Sequence, residues 1–154
     1  AALHTWQMPE LKEYLALRPA RIVDGFLQDY RIENRFLHKQ GALTLRTGTL
    51  TRTSIVVGGV LTVEGKTIAT AAPNRPLFVA DDAVFINLAE GSRLEGVIFC
   101  PDKITITGAG LISGTVIAKH IQVSGSVQLR LPDPNPLYSS SSIPRFAPIM
   151  SAVE

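Results

Sequence analysis

The stretch "PLFVADDAVFI" at residues 76–86 lies over "GVIFCPDKITI" at 96–106 with a constant offset of 20. Phe78 then falls on Ile98, Ala80 on Cys100, Asp82 on Asp102 and Val84 on Ile104. "GTVIAKHIQV" at 114–123 continues the columns after a small change of length, so that Ile98 leads to Val116 and Cys100 to Ala118. Small residues meet small ones and branched residues meet branched ones. Side chains stack in this way when each coil of a solenoid rests on the one before it.

Working outward, apolar-x-apolar triplets recur at Leu43/Leu45, Leu61/Val63, Val84/Ile86, Ile104/Ile106 and Ile121/Val123, in steps of 18, 23, 20 and 17 residues. Three end in a turn-forming glycine: "LTVEG" at 61–65, "ITITG" at 104–108 and "IQVSG" at 121–125. Each triplet reads as one strand of one coil. The sequence thus predicts an all-β chain, a parallel β-solenoid (β-helix) of about five coils, with neighbouring strands about 4.8 Å apart. The unequal coil lengths point to an irregular helix. An antiparallel sandwich also brings strands back every 8–12 residues or so, but column matching across three coils favours the solenoid.

Composition agrees. The 154 residues make one ordinary domain. Hydrophobic residues reach 45% while aromatics are only 6%, so the core is built from Val, Ile, Leu and Ala. The 15 basic and 13 acidic residues are interspersed, without the basic stripe of a nucleic-acid grip. Cys100 is the only cysteine, which leaves no intrachain disulfide framework. No run approaches the roughly 18 apolar residues of a membrane span. Any membrane attachment is expected through a segment outside this sequence.

The ends read differently. In "MPELKEYLALRP" at 8–19, Pro9 suits a first helical turn, Glu10 and Glu13 suit its positive end, and Pro19 stops it. Leu11, Tyr14 and Leu15 share a face. "ARIVDGFLQDY" at 20–30 reads as a second, weaker helix interrupted by Gly25. Residues 131–154 hold five of the ten prolines and the run "SSSS". The expected organisation is a helical cap over 1–40, the solenoid over 41–131 and an irregular Pro/Ser-rich tail over 132–154.

Among residues that carry chemistry, Asp82 and Asp102 fall in one column. One coil apart, their carboxylates would lie about 5 Å from each other, near the separation of a retaining glycosidase pair. Against this, both precede a strand, where Asp satisfies backbone donors of a turn, and the next coil offers Lys119 or His120 instead of a third acid. Turn residues are the expected reading, and the chain is expected not to be an enzyme. His4, His38 and His120 are widely separated, whereas zinc needs about four ligands, so neither a metal nor a cofactor is expected. Cys100, between Ala80 and Ala118, reads as a small buried hydrophobe.

The informative anomaly is that "LFVAD", "GVIFC" and "GTVIA" are apolar on both faces. If Phe78, Ile98 and Val116 point inward, Val79, Phe99 and Ile117 form a contiguous outer stripe. Strands covered on both sides read in this way. The stripe is the candidate interaction surface, and its expected cover is the N-terminal helical segment, with the tail or another protein as the alternatives.

A resemblance accompanies these residues. Gly96-Val97-Ile98-Phe99-Cys100, Ile104-Thr105-Ile106-Thr107-Gly108, Ile112-Ser113-Gly114 and Ile121-Gln122-Val123-Ser124-Gly125 resemble the recurring phrases in the carboxy-terminal β-solenoid region of bacterial pilus-assembly and pilin-like surface proteins. The similarity covers residues 77–129 and uses structural residues only. Bactofilins, polymer-forming bacterial cytoskeletal solenoids, are similar too, but have evener coils and lack the N-terminal helical segment and Pro-rich end. The resemblance implies a non-enzymatic structural or adhesive module of a bacterial envelope or pilus-like assembly. Its partners would be other envelope or pilus subunits, or copies of itself, at the cell surface or in the periplasm. A bactofilin-like cytoplasmic scaffold, or a small carbohydrate-active β-helix using Asp82 and Asp102, are the alternatives.

Overall fold

The computed structural model describes residues 20–130 except Pro73. Every regular element there is a strand, and all pairings between strands are parallel. The chain winds as a parallel β-solenoid of about six turns, its strands arranged in stacks.

The first stack contains the start of β2 (Phe26–Glu33), β4 (Leu43–Thr51), β6 (Val60–Thr70), β8 (Ala83–Leu88), the start of β10 (Lys103–Ile117) and β11 (His120–Val123). The second takes the later halves of β2, β4 and β6, then the start of β9 (Arg93–Phe99), the middle of β10 and β12 (Ser126–Arg130). The third joins β1 (Ala20–Arg21), β3 (Phe36–Lys39), β5 (Ser54–Val57), β7 (Phe78–Ala80) and the ends of β9 and β10.

The predicted columns are the observed register. Val84 pairs with Ile104 and Ile104 with Ile121; Phe78 pairs with Ile98 and Ile98 with Val116. Because alternate side chains of a strand point to opposite sides, one residue in two enters the interior. Leu43, Leu45, Leu61, Val63, Val84, Ile104 and Ile106 are there, none of them measurably exposed. Ile121 and Val123 pack on the same core but are only partly buried, because the last turn has nothing paired beyond it among the described strands.

Two expectations are corrected. Residues 20–30 are not helical: they form β1, a bend and β2, and residues 20–40 belong to the solenoid instead of a cap. Ile22 and Phe26 have helical spacing, but Asp29 and Asn34 take positive φ (52° and 53°), which ends any α-helix through them. Stacking on the next turn outweighs the local preference: Leu27 pairs with Leu45, and Tyr30 and Leu37 are buried. The count of turns rises from about five to about six for the same reason. The helix expected at 8–19 and the irregular tail at 132–154 lie outside the described residues.

In five turns the corner between the first and second stacks takes a left-handed backbone. Asp29 and Thr47 (φ 52° and 53°) occupy it in successive turns, followed by Gly65 (φ 80°). Gly108 and Gly125 (φ 93° and 79°) fill it in the later turns. Glycine adopts this conformation without steric cost, which explains the glycine that closes three of the five triplets; Leu88, paired with both Gly65 and Gly108, holds this position in the turn between them without a positive φ. Gly48 is small for another reason: a Cβ there would come within 2.5 Å of the Tyr30 ring.

Candidate interaction surface

The third stack carries the feature that the sequence singled out. Its inward column is Leu37, Ile55, Phe78, Ile98 and Val116, all in the main core. The alternate column runs Arg21, His38, Val56, Val79, Phe99 and Ile117. Its last four members form a separate cluster, with Phe36, Val97 and Ile121 packed against them. These side chains lie outside the solenoid, yet Val56 is 0%, Val79 2%, Phe99 2% and Ile117 4% exposed.

The structure therefore places Val79, Phe99 and Ile117 together and adds Val56, which the sequence reading did not include. Its strand, "SIVV", sits 23 residues before "FVA" in register, three more than the next step, because residues 71–76 lengthen the intervening corner. The signal was present: all four residues of β5 are apolar or small, and all four are buried.

Charge frames this column without entering its apolar part. Arg21 stands at the N-terminal end and is exposed, with His38 next to it. The Arg75 guanidinium lies 4.2 Å from the centre of the Phe36 ring, a cation–π contact at the stripe's border. On the first stack Arg46 pairs with Glu64 on the next turn at 3.0 Å and lies over Phe26. Such exposed pairs add little stability.

Asp82 and Asp102 are brought to successive turns, since Ala83 pairs with Lys103. Both are exposed and sit in the corners before β8 and β10. Backbone roles are plain: the Asp82 N–H donates to Gly59 O at 3.0 Å, and the Asp102 carbonyl accepts from the His120 N–H at 2.8 Å. Lys103 and His120 flank the pair and are also exposed.

Cys100 is fully buried. Burial pushes its thiol above the ordinary value, and the Asp102 and Asp81 charges act in the same direction, with backbone hydrogen bonds at Asp102 and Lys103 offsetting part of the effect. A thiol held protonated is a poor nucleophile. Among the described residues no three of His, Cys, Asp or Glu come together as a metal-binding group, and no helix is long and apolar enough to cross a membrane.

An open depression of about 750 Å³ follows the outer column of the second stack, lined by Ile68, Arg93, Leu111 and Gln128 with Glu90 and Ser92 at its corner. Ser92 spends its hydroxyl inside the fold, accepting from the Thr67 N–H at 3.0 Å and donating to Gly65 O at 3.3 Å.

With this geometry in hand, comparison with known proteins adds no name: no protein-family model, curated protein or solved structure matches the chain.

Proposed function

We propose that this chain is a non-enzymatic structural module that works through protein–protein contacts in a bacterial envelope or pilus-like assembly. The observation that carries the reading is the state of the last described turn. Ile104, Ile106 and Ile112 are fully buried, while their partners one turn on, Ile121, Val123 and Leu129, are only partly buried. Among the described residues no strand pairs beyond this turn, and an apolar core that reaches such a strand edge offers a stacking surface, since an edge strand templates further pairing.

The partners that fit are subunits which add a complementary edge, either another envelope component or a second copy. The envelope or pilus setting rests on the resemblance of residues 77–129 to pilin-like solenoid regions. The chemistry of the described surface is consistent with this: the acids that stack are exposed turn residues, and the only thiol is buried. Purified full-length chain should associate as its concentration rises, and Val123→Asp should reduce that association. Strict monomers for both proteins at all concentrations would reject the reading.

The same edge favours a second reading, a bactofilin-like scaffold polymer in which copies stack end to end. Extended filaments seen by electron microscopy would select it, whereas small closed oligomers would not. A carbohydrate-active β-helix is the remaining alternative; it requires turnover of a polysaccharide that disappears in both Asp82→Asn and Asp102→Asn.

A further inference from the structure

The first described strand, β1, lies in the third stack, and the last, β12, lies in the second. The chain winds from first stack to second to third, so the stack due after β12 is the one in which β1 lies. The two edges of the described solenoid are therefore stepped at the same corner. At the far edge β11 and β12 stand one strand beyond the end of β10 in the third stack. At the near edge β1 stands one strand beyond β2. No described strand pairs on the outer side of either edge.

We infer that the partner of the last described turn is the first turn of a second copy of this chain, stacked head to tail. Its β1 continues the third stack, and its β2 lies on β11 and β12. This rests on the association proposed above and gives it a partner and a direction.

The apolar columns fit the junction. Leu27 and Val123 are the two ends of one inner column, and Ile32 and Leu129 the two ends of another. Each of these end members is only partly buried, whereas the residues between them are buried. Head-to-tail stacking sets Val123 on Leu27 and Leu129 on Ile32 of the next copy, with Ala20 of that copy on Val116. Both columns then run on without a change of register.

Charge selects the direction. The last turn, residues 118–130, exposes Lys119, His120 and Arg130 and contains no acid. The first turn exposes Asp24, Asp29 and Glu33 beside Arg21 and Arg31. Glu33 and Arg130 end one outer column, and Asp24, two residues before Phe26, heads the column that ends at His120. Head-to-tail stacking therefore brings Arg130 to Glu33 and His120 to Asp24. Two last turns face to face would gather the basic groups of both copies with no counter-charge, and such like-charge contacts are unfavourable.

Sedimentation equilibrium of full-length chains, with circular dichroism to show equal folding, tests the direction. Arg130→Glu should weaken association about fivefold, as should Glu33→Arg, and the two together in one chain should restore it. Each added copy exposes a fresh edge, so the wild-type mass should climb past that of a dimer. Contact between two last turns predicts the opposite: Arg130→Glu relieves repulsion and tightens association, and the mass levels off at the dimer. Either of those results would overturn the inference while leaving association at the last turn intact. Losses in the single variants that the double variant does not recover would overturn it too. A strictly monomeric wild type would reject both the direction and the association on which it rests.

Discussion

Val79 pairs with Phe99 one turn further along, and both side chains lie on the outer side of the third stack with 2% of their surface exposed. Burial of such side chains is worth about 1.5–3 kcal/mol each, so this outer cluster stabilises the fold in addition to the solenoid interior. Phe99→Asp replaces an apolar contact by a charge without a partner, and it should lower the stability of the monomer by at least about 2 kcal/mol. Urea unfolding of variant and wild type checks this. An unchanged midpoint would mean that the stripe is exposed in solution.

The interior columns make a second prediction. Ile106 is fully buried between Ile86 and Val123, whereas Phe85, in the same stack, is 42% exposed. Ile106→Ala should cost about 2–5 kcal/mol through lost contacts and the cavity left behind. Phe85→Ala should cost clearly less in the same urea titration. Equal losses would contradict the register.

The alternation that reveals these columns is local in the sequence, which is why turns from Leu43 onward are legible without a structure. The first turn is not. Gly25 stands where the next turn has Leu43, since Phe26 pairs with Thr44, so no apolar-x-apolar triplet marks it. The backbone keeps the pattern regardless: the Thr44 N–H donates to Gly25 O at 2.9 Å. Helical spacing of Ile22 and Phe26 then misleads, because propensity over ten residues is weak against the stacking of a whole turn. The outer stripe is legible at Val79, Phe99 and Ile117 because both faces of those strands are apolar. What buries it is a tertiary fact and leaves no mark in the strands themselves.

Tyr30 gives a pH-dependent prediction. Burial pushes its phenol from 10.0 up to about 12, with the Thr67 hydroxyl offsetting part of the effect. The folded state thus holds the phenolic proton more tightly than the unfolded chain does. The resulting stability is fully present below pH 10 and is lost as pH rises through about 12, a total on the order of 3 kcal/mol. Tyr30→Phe cannot ionise and should flatten the stability curve above pH 10 in alkaline unfolding experiments. The same alkaline loss in wild type and variant would remove Tyr30 as its source.

Gly108 tests the corner. Its φ of 93° is unfavourable for any residue with a Cβ, and that atom would run into the Leu88 carbonyl of the turn before. Gly108→Ala should destabilise the protein by about 1–3 kcal/mol from backbone strain alone, and more if the neighbouring turn must shift. Ala109→Gly, at the adjacent half-buried position, serves as the control, with a cost of about 1 kcal/mol or less. The thermal midpoints of the two variants should differ in that order.

The central claim is that the chain assembles through the edge of its last described turn, and sedimentation equilibrium of the full-length protein over a wide concentration range tests it most directly. The account predicts a weight-average mass that climbs with concentration in wild type and stays at the monomer value in Val123→Asp, with both proteins equally folded by circular dichroism. A wild-type mass fixed at the monomer value, or one that climbs identically in Val123→Asp, would contradict it.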